Sequence, residues 1–186
     1  MPLNAVLDGR GDRVAVMSMD HKAYIFDFEG FAAGLRPLLE KSLESNDVAP
    51  LVAFVDAQIE HVTLPWEATP LSRAWKEDLE QGDVQEVGDI ALTKYYGADD
   101  DCGLHEHWKD VHERLPADAQ RALLGEPLGR SGALFDPGKM GSYFQSPGAA
   151  RQSSLILNDL AWPELTPFRE LLSQAVAVRR GLYVTF

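Results

Sequence analysis

A single cysteine, Cys102, stands among the 186 residues. It excludes an internal disulfide and any four-cysteine zinc site. Long apolar runs are missing too, since no stretch approaches the ~18–20 residues that a membrane span needs. The segment Met1 to Asp12 has no basic region ahead of an apolar core, so no secretory leader is expected. These absences point to a reducing, cytoplasmic compartment. Positive charge is scarce as well. Lys and Arg number 17 against 29 Asp and Glu, a formal net charge of −12. A chain of that sign is repelled by phosphate backbones and anionic lipid. Nucleic acid and membrane are therefore not expected partners, and a basic protein is.

The motifs of several enzyme classes are absent. No Gly-x-Ser-x-Gly nucleophile elbow occurs. Gly138-Lys139-Met140-Gly141-Ser142 has the wrong spacing for a phosphate-binding loop, with five residues between Gly132 and Gly138 and Met140 after the lysine. Asp99-Asp100-Asp101 lacks the glycine and glutamate that a calcium loop needs at its sixth and twelfth positions, which are Leu104 and Asp110.

What is present reads as one α+β domain over residues 1–186. An antiparallel N-terminal β-meander is expected from Leu3–Leu7, Arg13–Met19 and Ala23–Phe28, because the intervening turns are too short for a crossover. Several amphipathic helices would pack on a mixed or antiparallel sheet. Phe31, Leu35, Leu38, Leu39 and Leu43 have helical spacing, and Pro37 places the start near Leu35. Leu51–Val62 fits a helix or a strand, and its alternation favours a strand. Thr69-Pro70 signals a helix with the stripe Leu71, Ala74, Trp75 and Leu79, closed by Gly82. Ile90–Tyr96 reads as a strand. Asp101 is expected to cap a helix with the stripe Leu104, Trp108, Val111 and Leu115, ended by Pro116. Ala117–Leu124 is a helix stopped by Gly125. Residues 125–152, with six Gly and three Pro, read as one long loop. Ser154–Leu157 is expected as a strand. Thr166-Pro167 opens a final helix with Arg179 and Arg180 in its last turn, and Leu182–Phe186 is a strand.

Three constellations invite a chemical reading. His105, His107 and His112 crowd a segment rich in Asp and Glu, an inventory that suits a divalent metal. On one helix, however, His105 and His112 are ~10 Å apart along the axis and His107 falls on the opposite flank. Such a centre would need ligands from elsewhere, His21 or His61 for example. No metal site or cofactor is expected on that basis. Arg130, Lys139 and Arg151 are the only bases of the glycine-rich stretch and are candidates for binding an anion or clamping an acidic surface. Cys102, near an expected helix start, is a candidate for a lowered thiol pKa.

Charge distribution says more than any motif. Residues 76–114 contain 12 acids and 4 bases, a net of −8, whereas residues 121–186 contain 5 acids and 7 bases, a net of +2. Acids steer association with a cationic partner and aromatic rings supply close contact. Tyr96, Asp99, Asp100, Asp101, Glu106, Asp110 and Glu113 are the expected partner-binding residues, with Trp108 in the core. Function is then read as a small acidic module that occludes a basic surface, such as an immunity or antitoxin-type inhibitor of a bacterial toxin. One alternative is a metal-dependent hydrolase using residues 99–113. Another is a non-catalytic subunit or homodimer joined through meander edges and the C-terminal Tyr183-Val184-Thr185-Phe186 strand.

Overall fold

The computed structural model describes residues 6–7, 13–14, 20–65 and 67–186. The chain is α+β. Eight α-helices accompany an antiparallel four-stranded sheet among these residues. Strands β1 (Val6–Leu7) and β2 (Arg13–Val14) pair antiparallel, as the expected hairpin requires. The remainder of that hairpin and its turns lie outside the described residues.

The meander does not continue into β3 (Lys22–Phe26) in the described pairing. β3 instead pairs with β8 (Gly181–Thr185), at the far end of the sequence. The sheet order is β3-β8-β7-β4, where β4 is Glu126–Pro127 and β7 is Ser142–Gln145. The C-terminal strand is thus interior, hydrogen-bonded on both sides, and offers no free edge for a second copy. Its register sets Tyr183 opposite Tyr24 on one side and Phe144 on the other.

Alternation along these strands builds two cores. Tyr24, Phe26, Phe144 and Tyr183 face one helical layer, while Ala23, Leu182 and Val184 face another. The first layer contains α1 (Phe28–Ala33), α2 (Leu35–Ser45), α3 (Ala49–Ala57) and α4 (Val84–Leu92). The second contains α5 (Trp108–Arg114), α6 (Ala117–Leu124), α7 (Pro147–Asn158) and α8 (Thr166–Ala177).

Local signals explain several boundaries. β3 ends before Phe28, where Asp27 accepts a bond from the Gly30 N–H at 3.2 Å and starts α1. Pro37 sits in the first turn of α2, where no N–H is needed. Gly125 ends α6 with φ +109°, and a Cβ there would meet the Phe144 carbonyl at 2.6 Å.

Other expectations are overturned. Residues 49–57 are helical, because Asp47 accepts from the Ala49 N–H at 3.0 Å, Pro50 suits the first turn, and Leu51 and Val55 share one buried face. Residues 69–82 form no α-helix. Pro70 bridges Thr63, and Glu86 captures the N–H groups of Glu80, Gln81 and Gly82, leaving one short 3₁₀ turn at Trp75–Glu77. Ile90–Tyr96 completes α4 and a 3₁₀ turn, since burial on nearly every side overrides β-propensity. Residues 125–152 are not one loop. They hold β4, the hairpin of β5 (Gly129–Arg130) and β6 (Ala133–Leu134), β7 and the start of α7. Gly132 and Gly141, with φ +88° and +114°, serve turns between these short pieces. Residues 154–157 lie in α7, which Ser146 caps and Pro147 opens. Helix α8 starts as expected but ends at Ala177, so Arg179 and Arg180 lie beyond it, and Arg180 pairs with Asp27.

Candidate functional site

Helix α4 carries a charge where its surroundings are apolar. Asp83 caps it, accepting from the N–H groups of Gln85 and Glu86 at 3.0 and 2.9 Å. From Val87 to Leu92 every residue is buried, and five of the six are apolar or glycine. The sixth is Asp89, 8% exposed. A bare carboxylate at such a position is costly unless paired.

Asp89 lines a cavity of about 280 Å³. Tyr24 of β3, Tyr183 of β8 and Tyr96 form one wall. Their ring centroids are 4.7 Å apart for Tyr24 and Tyr96, 5.2 Å for Tyr96 and Tyr183, and 6.2 Å for Tyr24 and Tyr183. Register explains the wall, since Tyr24 and Tyr183 are directly opposed on neighbouring strands. The turn carrying Lys139 forms a rim. Gln85 pins it by donating to the Leu134 carbonyl at 2.8 Å and accepting from the Asp136 N–H at 2.7 Å.

The acids around the cavity divide into two kinds. Asp83 caps α4, Glu86 binds three backbone N–H groups, and Asp136 accepts from the Gly141 N–H at 2.8 Å. Burial works to raise Glu86, but the three backbone donors outweigh it and hold its carboxyl below the usual range. Glu80 is exposed. Among the described residues Asp89 has neither a hydrogen bond nor an ion pair. Burial pushes its carboxyl up to about 7, opposed only by the charge of Lys22. Burial also raises the phenols of Tyr24, Tyr96 and Tyr183, and Asp89 adds to each. All three stay neutral near pH 7.

The expected partner-binding residues are distributed around this site and beyond it. Tyr96 is half-buried in the cavity wall and is not a protruding anchor. Asp99 and Asp100 are exposed. Asp101 caps a turn, accepting from the N–H groups of Ala23 at 3.0 Å and Gly103 at 2.9 Å, so it starts no α-helix. Asp110 and Glu113 line a separate open groove with His107, Arg114 and Glu164, and Glu106 is exposed. The charges of Asp101, Asp89 and Asp20 all act on the Tyr24 phenol, after burial.

The three bases do not converge. Arg130 pairs with Glu44 at 3.1 Å, Lys139 rims the Asp89 cavity, and Arg151 is exposed on α7. The histidines do not converge either. His105 lies 3.3 Å from Asp20 and 3.6 Å from Asp101, outside any helix. His107 belongs to the open groove, His112 packs on Trp108, and His61 is exposed. Among the described residues no group of three or more His, Cys, Asp or Glu could hold a metal ion. The Cys102 thiol is pushed up by burial and by Asp101, Asp100 and Glu170, the reverse of what a reactive thiolate needs.

His21, considered above as a distant ligand, is a core residue. Its Nδ1 accepts from the Leu104 N–H at 3.0 Å and its Nε2 lies 3.2 Å from the Leu123 carbonyl. The ring stacks on Trp108 with centroids 4.8 Å apart. Burial pulls its pKa down to about 4, so it is neutral near pH 7.

Sequence reasoning missed Asp89 because it divided α4 at Ile90. A signal was there: Val87-Gly88-Asp89-Ile90-Ala91-Leu92 is one charge inside an apolar run. No protein-family model, curated protein or solved structure matches the chain. No helix among the described residues is long and apolar enough to cross a membrane.

Proposed function

We propose that this chain is a small acidic binding module of the cytoplasm that covers a basic surface on a partner protein, in the manner of an immunity or antitoxin-type inhibitor. The observation that supports this reading most is the outward display of negative charge along residues 76–114. Eight of the 12 acids between residues 76 and 114 are exposed, Asp99 and Asp100 among them. Such a face raises the rate of encounter with a cationic surface and disfavours anionic ones.

Affinity capture from the source organism tests the reading at low and high salt. The expected result is one basic protein, weakened by salt and lost when Asp99 and Asp100 are both replaced by lysine. A partner indifferent to those two charges, or no partner at any salt, sinks the proposal.

One observation favours a second reading, an acid–base enzyme: Asp89 titrates near neutral in a defined cavity. Turnover of a supplied substrate by the native chain and not by Asp89→Asn would carry it. The hydrolase reading on residues 99–113 has weaker support, because the histidines there lie in different surroundings.

A further inference from the structure

We propose that the cavity over Asp89 is a binding site for one organic cation, an alkylammonium or guanidinium group, held by the Asp89 carboxylate against the rings of Tyr24, Tyr96 and Tyr183. Three observations carry it. Asp89 is more than nine-tenths buried, points into the cavity and has no partner among the described residues, whereas Asp83, Glu86 and Asp136 beside it are all occupied by backbone N–H groups. The rings that close the wall are aromatic, and such rings attract a desolvated cation. At about 280 Å³ the space admits the end of a lysine or arginine side chain.

An anion is a poor occupant, because four further carboxylates surround the same space and only Lys22 and Lys139 oppose them. A bare metal ion is also a poor one. Asp89 is the one buried carboxylate without a partner among the described lining residues; Glu80, which also has none, is exposed, and no histidine stands in the wall. An organic cation needs one countercharge and an apolar bed, which the wall provides.

This deepens the protein-binding reading, on which it rests only for the source of the cation. That source is either a side chain of the partner or a free amine. The test titrates the full chain with n-butylammonium and N-methylguanidinium, with n-butanol as the neutral control, and follows the tyrosine ring resonances by NMR. Saturable shifts of Tyr24 and Tyr96 with the cations and none with butanol are expected. Asp89→Asn should weaken binding by at least about tenfold while keeping a dispersed spectrum. Tyr96→Leu should weaken it by a smaller factor. Lys22→Gln should tighten it, because a competing cation is removed.

Equal binding of butanol, or an undiminished affinity in Asp89→Asn, overturns the proposal. So does binding that appears only in Lys22→Gln, since Lys22 would then be the permanent counter-ion. A Gly-Gly-Lys-Gly-Gly peptide that binds more tightly than butylammonium identifies a partner's side chain as the source; a free amine that binds as well identifies a small molecule. Both support the site. If amines bind and the charge-reversed face still captures the same partner, the cation site stands and the steering account of the face falls. If that face loses its partner and no amine binds, the reverse holds.

Discussion

Tyrosines aside, each helical layer encloses one ionisable side chain among the described residues, and the two are treated in opposite ways. On the side of α5 to α8, His21 is saturated. A backbone N–H and a backbone carbonyl meet its two nitrogens, and Trp108, Phe168 and Phe186 surround its ring. On the side of α1 to α4, Asp89 is also buried but has no hydrogen bond or ion pair among the described residues, and it lines a cavity with Tyr24, Tyr96, Tyr183 and Lys22. A buried polar group that is satisfied contributes to stability, and one left unsatisfied costs stability. The contrast separates a structural residue from one whose burial makes sense only with a visitor.

Asp89→Asn should break the comparison most strongly. The unfolded carboxyl titrates near 4 and the folded one near 7, so the native chain loses stability as pH rises between these values. At pH 8 the Asn variant should be the more stable by about 4 kcal/mol in urea denaturation, and the advantage should vanish near pH 4. His21→Leu should do the opposite. It leaves the Leu104 N–H and the Leu123 carbonyl without their partner and removes the ring stacked on Trp108, for a loss of about 3–4 kcal/mol in the same assay.

Acid sharpens the same contrast within one chain. His21 is depressed to about 4 in the fold against 6.5 when unfolded, so its contribution is lost as pH falls from about 6.5 through about 4. In the Asp89→Asn background this should appear as a decline of about 3 kcal/mol over that window, with no opposing gain from the carboxyl. Trp75→Phe should cost about 1 kcal/mol, because it removes the indole N–H bond to Asp56 at 3.1 Å and keeps most of the ring volume. Arg130→Ala should change stability by less than about 0.5 kcal/mol, since its pair with Glu44 is solvent-exposed. A large effect there would mean that the β5–β6 hairpin is tied down by charge.

The same division runs through what the residues reveal before folding. Helices α2, α6 and α8 and strand β8 were legible because each has local punctuation: Pro37, Gly125, Thr166-Pro167 and the alternating Leu182–Phe186. The first helical layer was harder. Across α3 and the turn after it, Val55 and Ile59 belong both to a two-residue alternation with Ala57 and to a helical face with Leu51, Val52 and Val62, and only the Asp47 and Pro50 signals decide. From Ile90 through the 3₁₀ turn at Thr93–Tyr95 every residue but Lys94 is buried, so periodicity loses its meaning. Thr69-Pro70 failed as a helix start because the donors of residues 80–82 go to Glu86, a tertiary bond that no local rule contains. Of the candidate site, the acidic bias and Tyr96 were visible. Asp89 and the tyrosine wall were not, because Tyr24 and Tyr183 meet only through the pairing of β3 with β8 across most of the chain.

The most direct measurement is the titration of the Asp89 carboxyl carbon by NMR, with and without n-butylammonium. The groups that face it are Lys22 and Tyr24 from β3, Tyr183 from β8, and Tyr96. Asp83 and Glu86 on its own helix, Glu80, and Asp136 and Lys139 on the rim complete the set. The expected midpoint is near 7 in the free chain, moving down as the amine is added, because a bound cation favours the ionised form. A midpoint at or below 4 that the amine leaves unmoved would contradict the account, for it would mean that Asp89 already has its partner.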